Sequence, residues 1–173
     1  YSSVGNLHMT FDEIFAFREM EINSKTGSVN LTNITAESLV VELDTGSVVI
    51  NQVEVAQNTS VETDTGNLRI TDLKTKDLTT KSDTGNVTLT NIDVDNLDVS
   101  LSTGGVSISN STVDQNLIIN SSTGNVTVTS VLANDYDIRT RTGRVSMTFD
   151  DLDPYRLELS TSTGKITVLG TSQ

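Results

Sequence analysis

Thr-Gly pairs recur along the whole chain at a near-constant interval, and this repeat restricts the fold more than any other feature. Their glycines stand at 27, 46, 66, 85, 104, 124, 143 and 164, so the intervals run from 19 to 21 residues. Gly5, in SSVGNLHM, marks a degenerate ninth copy with Val4 in place of the threonine. A tandem unit of this length cannot enclose a core alone and buries its apolar face against the next copy.

Alignment on the glycines separates inward from outward positions. Two and four residues after each glycine the chain is apolar in every copy, from Leu7 and Met9 through Leu68 and Ile70 to Ile166 and Val168. Five and seven residues before it the same holds, as at Val41 and Leu39 or Ile138 and Tyr136, with Thr59 and Thr80 as exceptions. A third apolar position follows about seven residues after the glycine, at Ile34, Val53, Leu73, Ile92 and Val131. Period-two alternation on both sides of a glycine describes two half-buried strands meeting at a tight corner.

Units stacked about 4.8 Å apart pair their backbones in parallel and lay like residues over like. The expected fold is therefore all-β: a single-domain parallel β-helix, or β-solenoid, of about nine coils of 19–20 residues and roughly 40 Å in length. Right-handed coils are expected, because parallel crossovers take that hand. Residues 1–23 form the first coil with an aromatic cap, 24–169 the repeats and 170–173 a tail. Up-and-down barrels would not keep one inward column over every repeat, and the Leu-rich signature of leucine-rich repeats is missing.

Composition supports strands and narrows the partners. Hydrophobic residues make up 35% of 173 residues, Ser, Thr, Asn and Asp are abundant, and the only proline is Pro154. The formal charge of -12 argues against nucleic acid or an anionic membrane surface as partner. No cysteine is present, which excludes disulfides and thiolate metal sites and suits a bacterial envelope or a cytosol alike. No apolar run reaches the ~20 residues of a membrane span, so direct insertion by this segment is not expected. The chain begins at Tyr1 rather than methionine, compatible with a signal peptide or anchor trimmed upstream.

Three of the corners read Asp-Thr-Gly, at Asp44, Asp64 and Asp83, the tripeptide of aspartic proteases. Those enzymes join two carboxylates across a cleft so that they share a proton. Here the position before the threonine runs Lys25, Asp44, Asp64, Asp83, Ser102, Ser122, Arg141, Ser162, so it serves the turn and not catalysis. With Glu42 and Glu62 the three aspartates form an acidic strip that suits a hard cation such as calcium, although Lys81 beside it is a simpler neutraliser. Outward pairs Thr88/Thr90, Ser107/Ser109, Thr127/Thr129 and Ser146/Thr148 resemble the threonine ranks of ice-binding solenoids, but Asn30, Val49 and Arg69 interrupt them.

Arg139, Arg141, Arg144, Arg156 and Lys165 gather at the C-terminal end, where they either balance charge or dock an anionic partner. His8 is the single histidine and lacks partners at ligand or triad spacing. Sequons at Asn33, Asn58, Asn86, Asn110, Asn120 and Asn125 follow from Asn- and Thr-rich turns. Phe11, Phe15 and Phe17 at the start, and Tyr136, Phe149 and Tyr155 at the finish, read as end plugs. The insertion MTFDEIFAFREM is expected to fold over the first coil. TVLGTSQ looks cut short, so a further domain or a second copy would cover that end.

The strand, S/D-T-G corner and V-x-apolar strand, carried best by SDTGNVTLTNID and SSTGNVTVTS, resemble the adhesin-type β-strand-repeat domains of bacteria. These include LiaX- and YvlB-like proteins and the autotransporter-head GIN domains, and the resemblance covers Ser24 to Val168. It implies a β-helix at or near the cell envelope without assigned catalytic residues and, in the LiaX-like case, a part in the response to envelope stress. No catalytic, cofactor-binding or metal-ligating residue is assigned, and no cofactor is expected. The expected function is a non-enzymatic, extracellular or envelope-associated module that presents flat strand faces to a protein or glycan, with end-to-end or side-by-side homo-oligomers as further partners. The competing class is a polysaccharide lyase or hydrolase on a β-helix with paired carboxylates on one face, but the loops here are uniformly short.

Overall fold

The computed structural model describes residues 5–149 and 156–170, without the side chains of 12–15. Tyr155 and Pro154 lie outside the described residues. Twelve strands follow in order: β1 Leu7–Thr26, β2 Val29–Thr45, β3 Val48–Val55, β4 Asn58–Thr65, β5 Leu68–Lys74, β6 Asp77–Thr84, β7 Val87–Thr103, β8 Val106–Thr123, β9 Val126–Thr142, β10 Val145–Phe149, β11 Arg156–Thr163 and β12 Ile166–Gly170. Every pairing is parallel and joins equivalent positions one repeat apart, as in Val48↔Leu68↔Val87 and Val61↔Thr80↔Val99. The fold is the expected all-β parallel β-solenoid. The nine corner glycines bound about eight complete turns, one fewer than the expected nine coils, because among the described residues only β12 follows Gly164.

The corner column explains why glycine never varies. Gly66 has φ of 156°, and a Cβ built on it would lie 1.8 Å from the Gly46 carbonyl oxygen; for Gly85 the same contact to Gly66 is 1.8 Å. Both the backbone conformation and the approach of the next coil demand a hydrogen atom there. Hydrogen bonds lock the corners to one another, with Gly66 N–H donating to Thr84 O at 2.9 Å and Leu68 N–H to Asn86 O at 2.9 Å.

A second corner lies six residues after six of the nine glycines, Gly27 through Gly124. Asn33, Gln52, Asp72, Asn91, Asn110 and Ser130 all have φ between 51° and 58°. Asn and Asp tolerate this left-handed region better than other non-glycine residues, and Asn91 Nδ2 donates to Asp72 Oδ1 at 2.8 Å across the coil. Each of these coils thus turns at glycine, runs a short strand, turns at this polar residue, and runs on before returning to the next Thr-Gly.

The interior is a set of apolar files. Leu31, Ile50, Ile70, Leu89 and Ile108 are fully buried in one, and Leu39, Leu78, Leu97 and Leu117 in another. Each such side chain contributes about 1.5–3 kcal/mol when removed from water. One further file had outward-looking chemistry in sequence: Thr63, Ser82, Ser121 and Thr140 are buried three residues before their glycines. Thr63 Oγ1 donates to Gly46 O at 3.2 Å and Thr140 Oγ1 to Gly124 O at 3.5 Å, so these hydroxyls satisfy corner carbonyls.

The Ser82 and Ser121 hydroxyls have no hydrogen-bond partner, and neither has that of Thr80, which is fully buried between Val61 and Val99. An unpaired buried hydroxyl costs about 1–3 kcal/mol. Thr80→Val is therefore expected to raise the unfolding free energy by about 1 kcal/mol, read as a higher urea midpoint at unchanged slope; a lower midpoint would show that the hydroxyl has a role the packing hides.

The ends depart from expectation in one respect. The insertion after Met9 does not lie over the first coil as a separate flap. It belongs to β1, which pairs with β2 on both sides of a register shift between Thr10 and Phe15, so the extra residues are taken up as a bulge. Phe11 and Phe17 pack at 6.2 Å between ring centroids beside the core. At the other end Tyr136 is fully buried, donates to Val131 O at 2.7 Å, accepts from Ala133 N–H at 2.8 Å, and meets Phe149 edge-on at 5.5 Å. In the last described coil the inward residues Leu157, Ile166 and Val168 are exposed.

Candidate binding faces

The outward side chains stand in files as regular as the inward ones. On the corner, Asn67 Oδ1 accepts from Asn86 N–H at 2.9 Å, Asn86 Oδ1 from Gly105 N–H at 2.8 Å, and Asn125 Oδ1 from Arg144 N–H at 3.0 Å. A matching ladder eight residues before the corner glycines links Asn96 Nδ2 to Asp77 Oδ1 at 2.7 Å and Asn116 Nδ2 to Asn96 Oδ1 at 2.9 Å. These amides hold neighbouring coils together. They occupy Asn86 and Asn125, two of the sequon positions, while Asn33 and Asn110 form the left-handed corner.

Asp44, Asp64 and Asp83 are all exposed on the Thr-Gly corner, flanked by the pairs Leu43↔Thr63 and Thr63↔Ser82. They face solvent with no cleft between them. Lys81 pairs with Glu62 across the coil, and that hydrogen bond and charge raise the ammonium above its ordinary pKa, with Asp83 and Asp64 adding to the effect. Ser102 Oγ reaches Asp83 Oδ1 at 3.4 Å. Among the described residues no group of three or more His, Asp or Glu side chains is placed to hold a metal ion.

On the strand after the corner, Thr88, Ser107, Thr127 and Ser146 lie in register, as do Thr90, Ser109, Thr129 and Thr148. Asn30, Val49 and Arg69 continue the first file toward the start of the chain. The rank is therefore flat but chemically mixed. His8 Nε2 is 3.0 Å from Thr10 Oγ1 on the exposed side of β1.

The basic residues divide into two groups. Arg139 contacts Asp137 at 2.7 Å and Glu158 at 3.7 Å, and Arg156 contacts Glu158 at 2.6 Å, so these guanidinium groups are neutralised locally. Arg141, Arg144 and Lys165 have no ion-pair partner among the described residues. A trough on the face that leads into the Thr-Gly corner spans five coils, from Lys81 and Asp83 at one end, past Arg139 and Arg141 on the fourth coil, to Ser160 and Ser162 at the other. Its volume is about 440 Å³, and its floor is Ser100, Ser102, Asn120 and Ser122. Sequence alone did not reveal it, because it arises where two successive coils carry short outward side chains between coils that carry long ones.

The chain matches the Toastrack DUF4097 family model over residues 2–74 and again over 57–170, and it belongs to that family. The two matches overlap at 57–74, which a sliding fit to a 19–20-residue repeat produces. Comparison with curated proteins and with solved structures gives no match. Fold and family together define a Toastrack β-solenoid, a class without an assigned function.

Proposed function

We propose that this Toastrack domain is a non-enzymatic interaction module of the bacterial cell envelope that offers its flat strand faces to a glycan or a protein. The observation that carries this reading is the layout of polar groups: Thr, Ser, Asn and Asp side chains rise in open ranks, coil over coil, instead of converging on an enclosed pocket. Catalysis needs donors and acids preorganised around one reacting centre, whereas a repeated rank suits a partner that is itself extended. The adhesin-type and envelope-stress roles suggested by the LiaX-like resemblance are consistent with such a surface.

A glycan array together with a screen of polysaccharide lyase and hydrolase substrates tests the proposal. Retention of an envelope glycan without turnover is expected; turnover of a polysaccharide would overturn it. The double variant Asp64→Asn/Asp83→Asn is expected to leave glycan retention within about twofold, since both carboxylates face solvent and contribute at most a screened surface interaction. Abolished retention or abolished turnover in that variant would return the Asp-Thr-Gly corners to a functional role.

A further inference from the structure

We infer that the trough between Lys81 and Arg141 is the binding site for an acidic glycan, a short saccharide chain bearing a carboxylate or phosphate group. The inference rests on the glycan-binding reading and assigns it a place and a chemistry. Three observations carry it.

The first is charge. The chain carries a net charge of -12, yet the trough is lined by three cationic side chains, Lys81, Arg139 and Arg141, and one carboxylate, Asp83. An anion is repelled by most of this surface; here Glu62 offsets Lys81 and Asp137 with Glu158 offsets Arg139, so the favourable charge rests on Arg141. By contrast the concavity around Glu54, Asp72 and Asp93 is acidic, with Lys74 already paired to Asp93 at 3.1 Å.

The second is an uncommitted guanidinium. Lys81 is held by the in-register Glu62 and Arg139 by Asp137, two residues earlier on its own strand, which fixes them as walls, but Arg141 has no ionic partner among the described residues. A guanidinium presents a planar fork that fits a carboxylate or phosphate through two parallel hydrogen bonds. Arg141 therefore supplies the anchor.

The third is the floor. Ser100, Ser102, Asn120 and Ser122 offer hydroxyls and an amide, each able to donate and accept. That is the complement of sugar hydroxyls. The distance from the Lys81 coil to the Arg139 coil is three steps of the stack, about 14 Å, so the bound chain runs along the solenoid axis.

The test uses the purified chain and three oligomers: oligogalacturonate as a carboxylate source, a polyol-phosphate oligomer as a phosphate source, and dextran as a neutral control. Calorimetry at low salt is expected to show binding of at least one acidic oligomer and none of dextran, weakening as salt rises. Arg141→Ser is expected to lower that affinity at least tenfold, and Arg141→Lys less. Serine already occupies the equivalent position at Ser102, Ser122 and Ser162, so the variant folds. Arg69→Ser, an exposed arginine on another face, is expected to change nothing. Equal loss in both serine variants, or no loss in either, overturns the site while leaving broader glycan binding intact. If the array retains glycans but both acidic oligomers fail, the acidic class is wrong; if the array retains none, both readings fall together.

Discussion

Gly66→Ala is expected to destroy the folded middle of the rod, lowering stability by at least about 4 kcal/mol. The added methyl group would sit 1.8 Å from the Gly46 carbonyl oxygen, well inside any tolerable contact, and the residue would have to hold φ at 156°. Relief needs the Gly46 corner to move away, but that corner is itself stacked on Gly27 and tied by its N–H to Thr65 O at 2.8 Å. Strain in one coil is thus passed to its neighbours, as in any array whose units contact only those above and below. Gly105→Ala is the matched control. Gly105 needs no left-handed backbone, and its added Cβ would meet only the Asn86 side-chain oxygen at 3.3 Å and Asn125 O at 3.6 Å. Its cost is expected to stay within about 1 kcal/mol. Urea unfolding followed by circular dichroism separates the two, and equal midpoints would show that the glycine column is not a packing requirement.

The second large effect is Leu89→Ala, expected to cost about 2–5 kcal/mol. Leu89 is fully buried, paired in register between Ile70 and Ile108, so truncation opens a void that β-branched neighbours on fixed strands cannot fill. Leu132→Ala is the comparison: Leu132 is 47% exposed and its loss should lie within about 0.5 kcal/mol. A difference of less than 1 kcal/mol between the two variants would contradict the assignment of inward and outward files.

Much of this architecture was legible because two signals agreed. The glycine interval set the coil, and alternation in stretches such as Leu68 to Ile70 and Leu97 to Val99 set which side faced in. What stayed hidden was hidden for physical reasons. Thr63, Ser82 and Ser121 are buried, but their polarity imitates an outward position, and only the nearby carbonyl of a lower coil shows how Thr63 is satisfied. The second corner escaped because Gln52 and Ser130, unlike Asn33 or Asn91, do not advertise a left-handed backbone. The bulge in β1 could not be told from a separate cap, since the Phe-rich segment fits either. At the surface the basic cluster was visible by residue type, but not the division between neutralised Arg139 and free Arg141, which depends on side-chain geometry across coils.

The stacking itself is tested most directly by distances between spin labels on the exposed corner threonines, introduced as cysteines into a chain that has none. With one label at Thr45 and the second at Thr103, Thr123 or Thr163, the pairs are three, four and six coils apart along the register. The separations should grow along a line of about 4.8 Å per coil, near 14, 19 and 29 Å. Distances that do not increase in that order, or that show neighbouring units running in opposite directions, would contradict the account.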